Sequence, residues 1–381
     1  MSNPRSNTQE REMPDGLKVR MIKGPAKVVV KGACHVLGRD VSGQTVNVRA
    51  GKALPFEPGN RWCTLHARLG YGARLWWADP KQAGTSMWLS LARQISGLAI
   101  GKKTIVILVG DTDTGKSTLA IYLANMAIRH GLVPSIIDAD IGQGDLAPPT
   151  AIGAAVLSKQ VVDLRDVNTS VFEFVGSISP VGFEELIAKK LRSMLDRTSQ
   201  LADICIVNTD GYVRNGGVQY KAMIAEELQP DAVISLGENA ELFDMWHKGA
   251  SWQILHARSS NQAYKSRFER LNRRLDQFLR YVGNGYFTIV NLSEVKFDYM
   301  NRLFSPSDLF QSPIKQLEPD NMTGMFVGLG SNGNVMGFGV IISVNSDNGI
   351  VHIQTNINSF DTIYLSNIRL SSDRIMEVRL T

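Results

Sequence analysis

Apolar and polar positions change rhythm twice along the chain. Residues 17 to about 78 carry short β-rich runs, LKVRMI, AKVVVKG, QTVNVRAG, RWCTLHARLG and ARLWW, broken at Gly24-Pro25, Ser42-Gly43 and Gly59-Asn60. That spacing predicts a small β-sandwich or barrel, with Trp62, Trp76 and Trp77 expected in its core. From Thr85 to about Ile95 apolar residues recur at helical spacing behind Gly84, with Thr85 as the N-cap candidate, which predicts a connecting helix. Next, TIVILVG, PSIIDAD, ICIVNTD and DAVISLG end in Gly or Asp and are separated by longer helical patterns, the alternation of a parallel α/β sheet. From about Phe287 the helical rhythm stops, and GMFVGLG, VMGFGVIISV, GIVHIQTN and DTIYLSNIRL predict a second small β-domain. The expected divisions are a disordered polar lead over 1–16, an N-terminal β-domain over 17–84, a central domain over 85–286 and a C-terminal β-domain over 287–381.

A length of 381 residues agrees with this, since roughly 150 residues make a domain, and it excludes a single small binding module. With 44% hydrophobic and 20% charged residues, wholesale disorder is excluded too. Forty-one Lys plus Arg against 36 Asp plus Glu give a formal charge of +5, a small bias toward anionic partners such as nucleic acid. Cys34, Cys63 and Cys205 are far apart, with no CxxC pair or clustered histidines, which points to a reducing compartment. The polar start lacks an apolar h-region and no later run approaches the ~18 apolar residues of a membrane span. A soluble, intracellular, cytoplasmic protein is expected.

In a parallel sheet the strand carboxyl ends line the ligand crevice, which is where Gly110, Asp138, Asp140, Asn208 and Asp210 fall. Gly110-Asp111-Thr112-Asp113-Thr114-Gly115-Lys116-Ser117, followed by Thr118, matches GxxxxGK[ST] between a strand and a strong helix pattern. The loop's N–H groups would wrap a nucleoside triphosphate, Lys116 would reach its β/γ oxygens, and Ser117 would ligate Mg²⁺. The expected fold is thus α/β: a central P-loop NTPase domain with a parallel sheet, flanked by the two small β-domains. In SIIDADIGQGD, Asp138 and Asp140 are alternate residues that would share a side if the strand continues; otherwise they are solvated loop acids. Facing the phosphates, one can hold Mg²⁺ through water and the other can accept a proton, with Gln143 placed to orient a nucleophile or a substrate phosphate. A second acidic strand end, ICIVNTDGYVRNGG, adds Thr209 and Asp210, and Asp210 competes with Asp140 for the role of base. Tyr212, among glycines, either stacks on a nucleobase or packs on a neighbouring loop.

Arg258 to Arg280 is the most basic stretch, with Lys265, Arg267, Arg270, Arg273 and Arg274 between its ends. At 100° per residue Phe268, Leu271, Leu275, Phe278 and Val282 form one apolar stripe, with Arg267, Arg270 and Arg274 along its edge. The stretch is then either a helix delivering guanidinium groups to a γ-phosphate or a solvated basic face.

These residues resemble the polynucleotide 5′-hydroxyl kinases, the family that includes the kinase subunit of pre-mRNA 3′-end cleavage and the kinase of ribosomal-RNA processing. GDTDTGKST resembles its Walker A, DADIGQGD its DxDxGQ block, FVGSISP with Gly176 and Ser177 its phosphate clasp, VNTDGY its NTxGW block, and KSRFERLNRRLDQFLRYV its arginine lid, about 258–282 here. GMFVGLG and GFGVI resemble its C-terminal β-domain, and the lack of long extensions resembles its compact archaeal form. The family's stacking Trp is Tyr212 here. The resemblance implies transfer of the ATP γ-phosphate to the 5′-hydroxyl of RNA or DNA, in RNA processing or repair, with RNA-processing protein partners. The expected catalytic residues are Lys116, Asp140, Arg270 and Arg274. ATP is expected on residues 110–118 and Ser177, and Mg²⁺ on Ser117, Asp138 and Asp140, partly through water. Gln143, Thr209, Asp210, Tyr212 and Arg267 are expected at the polynucleotide. Two alternatives stay open: an ATP-bound, non-catalytic scaffold subunit, and a P-loop ATPase or GTPase switch, although no guanine-reading NKxD is present.

Overall fold

The computed structural model describes residues 18–83, 85–169, 171–237, 251–258, 265–312, 314, 317–371 and 374–377. The polar lead over 1–16, Gly84 and residues 259–264 of the basic stretch lie outside the described residues.

An antiparallel sheet comes first: β1 (Val19–Lys23), β2 (Ala26–Val36), β3 (Arg39–Asp40), β4 (Thr45–Val48), β5 (Ala53–Leu69) and β6 (Arg74–Ala78), in the order β3-β2-β5-β1-β6 with β4 on β2. Gly59-Asn60 is not a turn, because β5 runs straight through it. Gly32 pairs with Cys63 and Cys34 with Pro58, so residues 59–62 bulge out against Ala33, and Pro55 and Pro58 just before the bulge disguise the strand. The bulge also overturns the expectation for Trp62, which is 70% exposed; Trp76 and Trp77 are only half-buried. The tryptophan buried against this sheet is Trp88, on the connecting helix.

After α1 (Pro80–Ala83) and α2 (Thr85–Leu98), the centre follows as β7 (Thr104–Gly110), α3 (Lys116–Arg129), β8 (Pro134–Ala139), β9 (Ala151–Val156), β10 (Val171–Phe174), α4 (Glu184–Thr198), β11 (Ile204–Thr209), α5 (Gly217–Leu228), β12 (Ala232–Leu236), β13 (Gln253–Ala257) and α6 (Arg267–Val282). Thr85 is the first helical residue, not a cap, and α2 continues past Ile95 to Leu98. Strands β13-β12-β7-β11-β8 are parallel, while β9 and β10 extend the sheet antiparallel. β8 and β11 are buried at every position, as strands covered on both faces require. One cover packs α2 and α3 together with the first sheet; the other packs α4 and α5.

The chain closes with β14 (Tyr286–Asn291), β15 (Lys296–Tyr299), β16 (Arg302–Phe304), α7 (Pro306–Phe310), β17 (Met325–Ser331), β18 (Asn334–Asn345), β19 (Ile350–Thr355), β20 (Thr362–Ser371) and β21 (Arg374–Glu377). β10 pairs with β18 at Phe172 and Val335, which joins these strands to the central sheet. Their aromatic cluster, Phe172, Phe174, Phe326 and Phe338, also receives Phe278 and Val282 from α6.

Candidate active site

Between β7 and α3 the chain has to turn inward within five residues. Asp113 and Gly115 do this with φ of 62° and 98°, and no side chain caps the helix at Gly115, so its first N–H groups stay available to an anion. A Cβ on Gly211 would lie 2.7 Å from Thr112 Cα, so only glycine after β11 lets the two loops approach this closely. Lys116 is buried, and its Nζ donates to the carbonyls of Gly110 (2.7 Å) and Asp111 (2.8 Å). Burial lowers its pKa to about 8, against the opposing pull of Asp140. Thr112, Asp113, Gly115, Lys116, Ser117 and Thr118 line one cleft with Asp140, Gln143, Lys265 and Arg270. The same cleft is also lined by Met21, Ala53 and Pro55 of the first sheet with Ala83 and Trp88, apolar surface of the kind a base packs against.

Asp138 and Asp140 have different surroundings. Asp138 is buried, accepts N–H groups from Asp145 (2.6 Å) and Leu146, and accepts Asn208 Nδ2 at 2.8 Å. Burial, then the neighbouring Asp145, raises its pKa to about 6. Asn208 Nδ2 also donates to Ser117 Oγ at 3.1 Å, tying strand end to P-loop. Asp140 opens on the cleft, with Oδ1 held by the N–H groups of Gly142 (3.1 Å) and Gln143 (2.8 Å). Buried Asn208 Oδ1, Gln143 Oε1 and Asp210 Oδ2 have no hydrogen-bond partner among the described residues. Asn208 stands beside Ser117 Oγ and Asp138 at the strand end, oxygen donors of the kind a hard divalent cation and its waters would take.

The basic stretch is a helix, α6, but its packing differs from the expected stripe. Phe278 and Val282 are buried, whereas Phe268 is 70% exposed and Leu271 and Leu279 are exposed as well. Polar contacts hold its inner face instead. Arg270 Nη2 donates to Asp113 Oδ2 (2.7 Å), Arg274 Nε to the Gly142 carbonyl (3.0 Å), Gln277 Nε2 to that of Gly144 (2.9 Å) and Tyr281 to that of Leu146 (2.8 Å). Ser266 and Glu269 form a capping box at its start, and Glu269 also pairs with Lys23 of β1 at 2.9 Å.

Asp145, which the motif reading passed over, anchors this arrangement. It is 1% exposed and accepts Lys52 Nζ (2.6 Å) from the first sheet and Arg273 Nη2 (2.6 Å) from α6, with Arg165 Nε at 3.5 Å. Burial pushes its carboxyl up, but Arg273, Lys52 and Arg165 outweigh burial and hold it well below the usual carboxylate range. Asp145→Asn leaves three cations under-compensated and is expected to lower stability by about 3 kcal/mol. Urea unfolding at pH 7 measures this, and an unchanged midpoint denies Asp145 the role.

Other expected residues sit elsewhere. Thr209 spends its hydroxyl on the Leu108 carbonyl inside the sheet. Asp210 pairs with fully buried Lys221 (2.8 Å) and accepts the Tyr212 N–H (2.7 Å), so it lies behind the cleft wall. Tyr212 is half-buried, its ring 6.3 Å from that of Tyr220 and its hydroxyl on the Asn215 carbonyl, the packed arrangement of the two weighed. Ser177 closes a turn with Ser179 and does not line the cleft. Arg267 is exposed on the first turn of α6, short of the cleft. Lys52, Lys265 and Arg273 line the cleft and Asn208 stands behind it on Ser117 and Asp138; spacing alone left all four without a role.

A parallel sheet with a phosphate-cradling loop and a paired-Asp strand end places the chain among the P-loop nucleotide-binding proteins. Comparison is more specific. The mRNA cleavage and polyadenylation factor CLP1 P-loop family matches residues 110–284. A polyribonucleotide 5′-hydroxyl-kinase of Pyrococcus horikoshii is 30% identical over 283 residues, 73% of this chain and 76% of the relative. One from Pyrococcus abyssi is 29% identical over 276 residues, 71% and 76% of the two chains. The structure of a Clp1p–Pcf11p complex superposes with a TM-score of 0.71 at 13% identity, over 96% of this chain and 99% of that one, a likeness of fold. The chain belongs to the polyribonucleotide 5′-hydroxyl-kinase family.

Proposed function

We propose that this protein transfers the γ-phosphoryl group of ATP to the 5′-hydroxyl of a polynucleotide. The observation that carries the reading is convergence: Lys116 and Ser117 of the P-loop, Asp140 of the β8 end and Arg270 of α6 line one cleft, and Arg274 sits beside it on the Gly142 carbonyl, next to the Asp140 loop. The 5′-oxygen attacks the γ-phosphorus as the bond to the β,γ-bridging oxygen breaks, ADP leaves, and Asp140 takes the hydroxyl proton. Asp140 suits this role because it faces the cleft, whereas Asp210 is neutralised by Lys221. Lys116 leaves its two carbonyls for the phosphate oxygens, and the lid arginines steady the charge on the transferring group. Ser117 and, through water, Asp138 would hold Mg²⁺, which would offset the charge of the triphosphate. Among the described residues no helix is long and apolar enough to cross a membrane.

The decisive experiment supplies γ-labelled ATP and Mg²⁺ with 5′-hydroxyl RNA and DNA oligonucleotides, and with the same strands already 5′-phosphorylated. Label is expected on the hydroxyl strands alone. ATP binding with no labelled strand would return the chain to the scaffold reading.

ATP binding is expected to take up protons. Burial, then Arg273, lowers Lys265 to about 7, so at pH 8 Lys265 is mostly neutral and Lys116 about half so in the free protein. Triphosphate oxygens favour the ammonium form and raise both values, so affinity falls as pH rises above about 7 to 8. Calorimetry at pH 8 in buffers of different ionisation enthalpy is expected to show between about one and one and a half protons taken up, less in Lys265→Met. No buffer dependence would contradict the assignment.

A further inference from the structure

The outward face of the N-terminal sheet is charged in a way that its packing does not require. Positions 27, 29 and 31 of β2 point away from buried Val28 and Val30, and the even positions 62–68 of β5 alternate with buried Cys63, Leu65 and Ala67. Register sets Lys27 directly opposite Arg68, with Lys31 four residues further along the same face. Like charges facing across strands oppose pairing, and the facing stretches 27–31, 62–68 and 45–47 contain no carboxylate. Among the described residues none of the three cations is ion-paired. At the end of this row Trp62, 70% exposed, lies against Gly32, where a Cβ would come within 2.9 Å of the indole. The face is continuous with the catalytic centre: Lys27 and Arg68 line a groove of about 660 Å³ against α6, and this groove shares Lys265 and Arg273 with the nucleotide cleft.

We propose that this face is a second polynucleotide-contact surface. It holds the body of a single strand whose 5′ end is at the cleft, with phosphates on Lys27, Lys31 and Arg68 and one base stacked on Trp62. On the strand face, cations without acids favour a polyanion, and an exposed aromatic ring next to a glycine suits a base of any sequence. Trp62 and Arg68 are six strand residues apart, about 20 Å, room for several nucleotides. The identity of the ligand as substrate rests on the kinase reading above.

The test uses the full chain and a 5′-phosphorylated, 3′-fluorescein 20-mer, which binds without turnover. Anisotropy in low salt is expected to show about a tenfold or greater loss of affinity in the triple variant Lys27→Ala, Lys31→Ala, Arg68→Ala. Its slope of log K against log salt should fall by about 2, three phosphates at about 0.7 each. Trp62→Ala is expected to lose about tenfold with little change in slope. In kinase assays the triple variant raises KM for a 20-mer and leaves kcat, and KM for a trinucleotide, unchanged. Unchanged affinity and slope in a triple variant that melts like the wild type overturn the proposal, as does an equal rise in KM for both lengths. If the wild type phosphorylates nothing yet the triple variant still loses 20-mer binding, the kinase reading falls and the surface stands. Normal kinase activity with unchanged binding does the reverse.

Discussion

Lys116→Ala is expected to lower phosphoryl transfer by about 10³-fold or more and to abolish the rise in melting temperature that ATP gives the wild type. In the ligand-free site two neighbouring cations are already engaged and do not take its place. Lys221 is committed to Asp210 at 2.8 Å, and Arg270 to Asp113 at 2.7 Å. Nor does the loop depend on the ammonium for its shape, since the left-handed turns at Asp113 and Gly115 and the Thr114 hydroxyl on the Asp111 carbonyl set it locally. The pKa of about 8, below the ordinary lysine value, means that at pH 7 the folded protein carries a charge its site disfavours. Removing the charge therefore keeps the ligand-free fold, and the loss of activity reports chemistry. Lys116→Arg is not expected to rescue, because a planar guanidinium is wider than an ammonium seated between two carbonyls. Near-normal turnover by the alanine variant would remove Lys116 from the mechanism.

What could be read beforehand was whatever a short stretch decides alone. The P-loop needs only its glycines and a strand–helix setting, and Asp140 and Lys116 reach the cleft because local backbone puts them there. The C-terminal runs likewise became strands close to their expected limits. What stayed hidden was decided by partners distant in sequence. Lys52 and Asp145 meet across 93 residues, and nothing in either segment announces the other. Periodicity put Phe268 and Leu271 on the packed face of α6, yet its inner face is occupied by Arg270, Arg273, Arg274 and Gln277, satisfying Asp113, Asp145 and the carbonyls of the 142–147 loop. Buried backbone acceptors demanded donors, and that demand outweighed the apolar stripe. Thr209 was misplaced for a related reason: a strand end can turn its hydroxyl into the sheet as readily as into the crevice.

Arg274→Ala is expected to lower kcat by about 10³-fold or more while ATP affinity changes only a few-fold. In the structure its Nε rests on the Gly142 carbonyl at 3.0 Å, beside Asp140, and its guanidinium is only half-buried. A group parked on a neutral carbonyl gives up little when it turns to an anion, whereas Arg270 must first leave the carboxylate of Asp113. Arg274 is thus the arginine whose favourable interaction grows most as charge moves onto the transferring group, so its loss belongs in kcat and not in binding. Arg270→Ala should cost less in kcat and also free Asp113 to repel the triphosphate, which raises KM for ATP. Positioning is expected to come from the adjacent residue: Arg273, paired with Asp145 at 2.6 Å, helps to anchor α6. Asp145→Asn should therefore show in part the kcat loss of Arg274→Ala, and adding Arg274→Ala to it should cost less than the two losses multiplied. Fully multiplicative losses would mean that the two act independently and that α6 finds its place without Asp145.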